Sequence, residues 1–181
     1  MTHLFRVTLP GIKGFARIYE VNDKNTLYLF HKQMLSDMEF PQDQIVLFKA
    51  FDANGNVVAR YATFDLGQGS IEHITISSIV KEGIVGFEYF YDTTNKKSVL
   101  ISLEGQGSGV NTMPALIEAK GPNPEAFLNG YVAYEDLPPE KRKGPDEADF
   151  DDDDEDDDGI STGEDEEEEI YEETEDYGQD E

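Results

Sequence analysis

Two histidines and two acidic residues are the candidates for acid–base chemistry in the first 145 residues. General acid–base catalysis requires titratable side chains that converge in one cleft. His31 is predicted on an amphipathic helix, one turn after Leu27, and His73 lies at a boundary between polar and apolar residues. Histidines in such positions more often pack or face solvent than catalyse. An enzyme built on Asp92, His31 and Glu118 is therefore the less favoured hypothesis.

Other kinds of reactive site lack their characteristic residues. The chain has no cysteine, which excludes disulfides, thiolate metal sites and a cysteine nucleophile, and only three histidines, which argues against a structural zinc site. No serine stands in a Gly-x-Ser-x-Gly elbow. We predict no catalytic, cofactor-binding or metal-binding residue in the chain, and no cofactor.

Three further segments of residues 1–145 have a functional and a structural interpretation. The glycine-rich residues 105–109 superficially resemble a phosphate-cradling loop, but they lack the closing Gly-Lys-Ser/Thr, so a flexible connector is predicted. The basic residues 141–143 adjoin a strongly acidic terminus and are interpreted as a tether for it. The aromatic side chains of Phe87, Tyr89, Phe90 and Tyr91 could stack nucleic-acid bases, yet core packing explains them better because no basic patch surrounds them.

Charge divides the chain into two parts. The 181 residues carry 14 Lys+Arg and 40 Asp+Glu, a net charge of −26. Residues 146–181 contain 23 of the acids and no Lys or Arg, which leaves 17 acids and all 14 bases in residues 1–145. A segment so charged and so poor in apolar residues cannot bury enough surface to offset the entropy of ordering. We therefore predict a disordered acidic tail over residues 146–181.

The tail is the predicted partner-binding site. Single bulky side chains are set among its acids, a pattern that suits contact with a basic protein surface, such as that of a nucleic-acid-binding protein. Direct binding to nucleic acid or to membranes is not expected, because this charge repels phosphates and anionic lipids. A tail that only keeps the protein in solution is the alternative. The predicted contact residues are Phe150, Asp151, Asp152, Asp153, Asp154, Glu155, Asp156, Asp157, Asp158, Glu164, Asp165, Glu166, Glu167, Glu168, Glu169, Tyr171 and Tyr177.

The same acids contain a partial calcium-loop pattern. The spacing Asp-x-Asp-x-Asp-Gly that ends at Gly159 matches its first half. The pattern then requires an apolar residue where the chain has Ser161 and a bidentate Glu where it has Asp165. We predict no calcium loop.

Hydrophobic patterning predicts six strands before Gly105. The first two show apolar–polar alternation, and the other four form two hairpins, the first closed by a type I′ turn at Asn54-Gly55. Residues 71–80 fit either a strand or a short helix. The predicted strands are residues 4–9, 15–21, 45–51, 57–64, 84–91 and 98–104.

One long helix is predicted between the second and third strands. Asn25 or Asp23 would supply its N-cap, and Pro41 marks its end. After Gly105, frequent glycine and proline predict only loops and short turns. The apolar stripe of the helix consists of Leu27, Phe30, Met34, Leu35 and Met38.

These elements predict an α+β fold: a mostly antiparallel sheet built from hairpins, with one long and one short helix packed on it, followed by the disordered acidic tail. The predicted organisation is an α+β domain over residues 1–137, a linker over 138–145 and the tail over 146–181. The first residues lack the order of a signal peptide, and no apolar run reaches 18 residues, so we expect a soluble, cytoplasmic protein.

Several motifs between residues 3 and 135 follow a known pattern. They are Val7-Thr8-Leu9-Pro10-Gly11-Ile12-Lys13, Ala16-Arg17-Ile18, Thr26-Leu27 with His31, Ile76-Ser77-Ser78-Ile79-Val80-Lys81-Glu82-Gly83, Glu88-Tyr89-Phe90-Tyr91-Asp92 and Met113-Pro114-x-x-x-Glu118-x-x-Gly121-x-x-Pro124-Glu125. In this order they resemble the plasmid open-reading-frame-three-like family, a transposon-passenger family. The resemblance implies helices packed on a mostly antiparallel sheet and a helix over residues 75–82, but no established activity. The family's Tyr-Asp-Phe-Gly-Asp, with a following Trp and His, is Tyr91-Asp92-Thr93-Thr94-Asn95 here, so any chemistry of the missing residues would be lost.

The favoured hypothesis is a non-enzymatic, cytoplasmic protein-interaction or regulatory protein. Its acidic tail would engage a basic partner, such as a component of the transcription machinery. The alternatives are an enzyme of unrecognised type and a DNA-related accessory protein of a mobile element. The last follows from the resemblance alone, and the absence of a basic stripe in a near-neutral domain counts against it.

Overall fold

The structure is a computed structural model that describes residues 1–142. The strands of this part are β1 (Thr2–Leu9), β2 (Ile12–Asn22), β3 (Leu47–Asp52), β4 (Val57–Ala62), β5 (Ile84–Asp92), β6 (Lys97–Gln106) and β7 (Ala115–Lys120). The helices are α1 (Leu27–Asp37), α2 (Ile76–Lys81) and α3 (Pro124–Leu128), followed by short 3-10 turns at Tyr134–Asp136 and Pro139–Lys141. The described strands form one sheet in the order β4-β3-β5-β6-β1-β2-β7, and all their pairings are antiparallel.

The α+β class predicted from the sequence is confirmed at this level. The prediction was wrong after Gly105, where only loops and short turns were expected, because β7 and α3 form there. Strand β7 pairs with β2 along one side and forms one outer edge of the sheet. Its side chains stay largely exposed, Ile117 to 52%, so the segment carries little of the alternation that reveals a strand in sequence.

Helix α1 begins at a different cap from the one predicted. The Oγ1 of Thr26 accepts a hydrogen bond from the backbone N–H of Leu29 at 3.4 Å, which satisfies a free donor of the first turn. Asn25 instead accepts from the Asn22 N–H at 3.1 Å and donates to the Thr112 carbonyl at 2.8 Å. Its side chain therefore joins the end of β2 to the segment before β7.

Residues 71–80 form a short helix from Ile76 onward rather than a strand. Thr75 is its N-cap and accepts from the Ser78 N–H at 3.2 Å. The starts of the two helices are hydrogen-bonded together, because the Leu27 N–H donates to the Ile74 carbonyl and the Ile76 N–H to the Asn25 carbonyl, both at 2.9 Å. These capping bonds decide in favour of helix despite the β-branched residues of the segment.

The hydrophobic core lies on the face of the sheet that α1 and α2 cover. Phe30 of α1 packs its ring 5.3 Å from that of Phe5 on β1 and 5.4 Å from that of Tyr19 on β2. Each large side chain buried in this way contributes about 1.5–3 kcal/mol. On β1 and β6, alternate residues point to the other face and are half-buried or exposed, as Arg6, Leu100 and Ser102 are, whereas residues 14–21 of β2 are buried throughout.

The turn between β3 and β4 differs from the predicted type I′ turn. Of Asn54 and Gly55, only Gly55 has a positive φ, of 81°. The Gly55 N–H donates to the Asp52 carbonyl at 3.0 Å, and the Asp52 carboxylate accepts from the N–H groups of Asn54 and Asn56 at 2.9 and 2.8 Å. The carboxylate thus favours a type I turn followed by a left-handed glycine, the geometry of a three-residue hairpin loop.

A side chain covers the outer edge of β4. The Arg60 N–H donates to Gln68 Oε1 at 2.9 Å, and Gln68 Nε2 donates to the Val58 carbonyl at 3.3 Å. Asp65 shapes the loop that brings Gln68 there, because its Oδ1 accepts from the N–H groups of Gly67 and Gly69 at 2.7 and 2.8 Å. The Gln68 amide therefore occupies the backbone groups with which another strand would pair.

Candidate functional site

His31, the first candidate for acid–base chemistry, belongs to the core. Its side chain is 5% exposed, and its Nδ1 lies 2.7 Å from the hydroxyl oxygen of Tyr89 on β5. Burial, with a smaller effect of Lys32, lowers the pKa of His31 to about 4, so the ring is neutral near pH 7. Burial also raises the pKa of the Tyr89 phenol. The pair is a hydrogen-bonded core contact without access to a substrate.

Asp92 closes the turn between β5 and β6. Its Oδ1 accepts from the backbone N–H of Asn95 at 3.0 Å, and its Oδ2 accepts from the Asn95 side-chain amide at 2.7 Å. These hydrogen bonds, first that of the side chain, hold the pKa of Asp92 below its ordinary value. The carboxylate is thus engaged in turn formation.

The remaining candidates lie on separate parts of the surface. His73 is exposed in the loop before α2, with Nδ1 2.9 Å from Ser70 Oγ. Glu118 is exposed on the edge strand β7, opposite Ile18 of β2. The structure therefore does not bring His31, Asp92 and Glu118 into a common cleft.

The glycine-rich residues 105–109 contact a carboxylate of the same chain, that of Glu20. The Glu20 carboxylate accepts from the Gly109 N–H at 2.6 Å, from the Thr2 hydroxyl at 2.8 Å and from the Asn111 side-chain amide at 3.0 Å. These bonds, that of Gly109 first, lower the pKa of Glu20. A Cβ on Gly107 or Gly109 would overlap the carboxylate. The segment was predicted as a flexible connector, but it is fastened to Glu20, and the N–H groups of Gly107 and Gly109 are bonded within the chain rather than open to a phosphate.

A buried arginine fastens the start of α3 to β2. Arg17 is 4% exposed, and its guanidinium donates to the Lys120 carbonyl at 2.6 Å and to Asn123 Oδ1 at 3.0 Å. Asn123 in turn donates from Nδ2 to Glu39 Oε2 at 3.1 Å. This chain of hydrogen bonds sets the position of α3 beside the end of α1.

A groove opens where the β1–β2 turn, the β5–β6 turn and α3 meet, and we call it the turn groove. Its larger part has a volume of about 330 Å³. A smaller part of about 80 Å³ shares Tyr91, Lys97 and Leu128 with it and extends to Glu39 and Glu125. The apolar walls of the larger part are formed by Leu9, Ile12, Tyr91, Pro124, Phe127 and Leu128.

Aromatic contacts hold the floor of the turn groove in place. The Tyr91 ring stacks on Phe40 with centroids 3.7 Å apart and planes 4° apart. The Phe127 ring meets Phe15 edge-on at 6.0 Å. Burial, then the nearby carboxylates of Asp92 and Glu125, raise the pKa of Tyr91, so its phenol stays neutral at physiological pH.

Two lysines stand at the rim of the turn groove. Lys96 has a φ of 56° in the β5–β6 turn, and Lys97 begins β6. Within residues 1–142 neither ammonium forms an ion pair, since the ion pairs of this part involve Met1, Arg6, Lys49 and Lys120. Sequence inspection missed this site. Its signal is weak, because consecutive lysines in a turn are common and only the strand order places them beside α3.

Residues 1–142 contain neither a metal-binding cluster nor a membrane-spanning helix. In residues 1–142 no three His, Asp or Glu side chains are grouped so as to hold a metal ion. None of the helices described in this part is long and apolar enough to cross a membrane. The predicted contact residues of the tail, from Phe150 to Tyr177, lie outside the described residues, as do the partial calcium pattern and Lys143.

Residues 1–142 thus form an α+β domain that is built on one antiparallel sheet and carries the turn groove. No protein-family model matches the chain, and no curated protein matches it. The chain is similar to a solved structure, that of the protein of unknown function MM3350 from Methanosarcina mazei Go1. The TM-score is 0.55 at 17% sequence identity, over 75% of this chain and 86% of that one. At this identity the likeness shows a shared fold.

Proposed function

We propose that the chain is a non-enzymatic, cytoplasmic interaction or regulatory protein whose acidic terminal segment engages a basic, nucleic-acid-binding partner, such as a component of the transcription machinery. The observation that carries the proposal is the division of charge. Residues 146–181 carry a net charge of −23, against −3 for residues 1–145. A dense polyanion resembles the phosphate backbone electrostatically, so it attracts the Lys and Arg surfaces that bind nucleic acid.

The bonding of the domain's titratable groups supports binding rather than catalysis. His31 is neutral and bonded to Tyr89, and Asp92 is bonded to Asn95. The Glu20 carboxylate is surrounded by donors of the glycine-rich connector. In this proposal the domain is a stable scaffold, and the charge needed for partner recognition lies in the terminal segment.

We further propose that the domain is a remote member of the plasmid open-reading-frame-three-like family. The order β1, β2, α1 and the presence of α2 at Ile76–Lys81 support this, because the resemblance implies both. The likeness to MM3350 concerns the fold and says nothing about activity.

A capture experiment with the full chain tests the proposed function. In the test variant, every acid of residues 151–158 and 164–169 is replaced by its amide. The control keeps the charge and replaces Phe150, Tyr171 and Tyr177 by serine. Each protein is immobilised and incubated with nuclease-treated lysate, once at about 0.1 M salt and once at about 1 M salt. The Debye length falls from about 10 Å at the lower concentration to about 3 Å at the higher one. Bound proteins are identified by mass spectrometry.

Basic nucleic-acid-binding proteins should be captured by the wild type at the lower salt concentration and lost at the higher one. The amide variant should lose them at both, while the control retains most of them because it keeps the full charge. Capture of the same proteins by the wild type and the amide variant would refute a charge-based role for the segment.

A further inference from the structure

We propose that the turn groove binds a small molecule with an apolar body and one carboxylate group. The site lies wholly within the described domain. It goes beyond the proposed function, because it does not depend on the acidic terminal segment.

The walls of the turn groove select an apolar body. Leu128 is 59% exposed there, although Phe127 beside it packs against the core. A ligand that covers this surface removes apolar area from water, which is the main favourable term in small-molecule binding. The volume of about 330 Å³ lies at the lower end of the range for ligand pockets, so the occupant is small.

The charges around the groove select an anion and orient it. Lys96 lines only the larger part and Lys97 lines both parts, whereas the carboxylates among the lining residues, Glu39 and Glu125, belong to the smaller part. The Asp92 carboxylate lies in the same turn, opposite Lys97 in the strand pairing; it is bonded to Asn95, and the charge of Lys97 is a smaller cause of its lowered pKa. In the larger part a bound carboxylate is attracted by Lys96 and Lys97, and in the smaller part Glu39 and Glu125 offset the charge of Lys97, so the carboxylate is favoured beside Lys96 while the apolar body covers Leu128.

Contacts within the chain also hold the groove in its shape. The stack of Tyr91 on Phe40 and the edge contact of Phe127 with Phe15 hold its aromatic side chains. The bonds of Asp92 to Asn95 hold the turn that carries both lysines. A preformed site loses little conformational entropy on binding, which favours recognition of even a small ligand.

The test uses the full-length, isotope-labelled chain and three probes: octanoate, 1-octanol and acetate. Amide resonances are followed by NMR while each probe is added. Octanoate should give saturable shifts at Tyr91, at Lys96 and Lys97, and at Leu128. Octanol lacks the charge and acetate lacks the apolar body, so each should bind at least about ten-fold more weakly than octanoate.

Three variants assign the two parts of the interaction. The double variant Lys96→Asn with Lys97→Gln should weaken octanoate about ten-fold and leave octanol unchanged, since two exposed ion pairs are removed. Asparagine is chosen because it tolerates the positive φ of Lys96. Leu128→Ser should weaken both octanoate and octanol. Lys81→Gln, which removes an exposed lysine at the end of α2, should change neither.

Spectra outside the groove and the melting temperature show whether each variant is folded, and Leu128→Ser remains a test if the lysine variant is not. The proposal is overturned if octanol binds as tightly as octanoate, or if a folded lysine variant binds octanoate like the wild type. It is equally overturned if none of the probes shifts the groove residues.

Discussion

Protonation of His31 is expected to destabilise the domain in mild acid. The ordinary pKa of a histidine, 6.5, applies to the unfolded chain, and burial lowers it to about 4 in the folded protein. Between these values the unfolded chain binds more protons than the folded one, so stability falls as the pH falls. The neutral, buried His31 ring makes its full contribution to stability above pH 6.5, and this contribution is lost as the pH falls toward about 4. A difference of about 2.5 pH units at 1.36 kcal/mol each is about 3.4 kcal/mol, and residual solvation of the ring reduces this to about 2–3 kcal/mol.

Urea unfolding of the wild type and of His31→Gln measures this effect. Glutamine does not titrate, and its carbonyl can accept from the Tyr89 hydroxyl. Because the carboxylates titrate in both proteins, the difference in unfolding free energy isolates the imidazole. As the pH falls from about 7 to about 4, the unfolding free energy of the wild type should decrease by about 2–3 kcal/mol relative to that of His31→Gln. The NMR signal of the His31 ring should titrate with a midpoint near 4.

The variant Tyr89→Phe separates burial from hydrogen bonding. It removes the hydroxyl that lies 2.7 Å from His31 Nδ1 and should lower the free energy of unfolding by about 1–2 kcal/mol. The ring should still titrate near pH 4, since burial is the main cause of the lowered pKa. A midpoint near 6.5 in the wild type, or a difference between wild type and His31→Gln that does not vary with pH, would refute the reasoning.

Two further predictions concern other contacts of the domain. Gly109→Ala should lower the free energy of unfolding by about 1–3 kcal/mol, because the new Cβ overlaps the Glu20 carboxylate, whereas Ser108→Ala should be nearly neutral. An alanine variant as stable as the wild type in urea unfolding would show that the connector can move away from Glu20. Gln68→Ala should expose the edge of β4 and cause self-association in sedimentation velocity, with Gln44→Ala as the exposed control. A variant that stays at the wild-type sedimentation coefficient at all concentrations would contradict the protective role of that amide.

Periodicity predicted the elements whose side chains meet the core in a regular pattern. The stripe from Leu27 to Leu35 identified α1 because a helix face repeats every three to four residues. Strands β1 to β6 lie within a few residues of their predicted positions for the same reason. Strand β7 and helix α3 escaped prediction, because one is an exposed edge strand and the other has only five residues.

Local chemistry was less decisive where several residues could play one part. Asn25 and Asp23 are good cap residues, yet Thr26 caps α1 and Asn25 bonds to Thr112, far along the chain. The Asn54-Gly55 pair indicated a type I′ turn, but the Asp52 carboxylate stabilises a different one. In each case a hydrogen bond absent from the local pattern chose between permitted conformations.

The sequence by itself determined the division of charge, the lack of cysteine chemistry and the α+β class, because composition and periodicity are properties of neighbouring residues. The tertiary structure decided what the candidate groups do. It placed His31 against Tyr89, closed the glycine-rich connector on Glu20 and assembled the turn groove from the β1–β2 turn, the β5–β6 turn and α3. These contacts join residues tens of positions apart, and they depend on the order in which the strands pair, which no local pattern encodes.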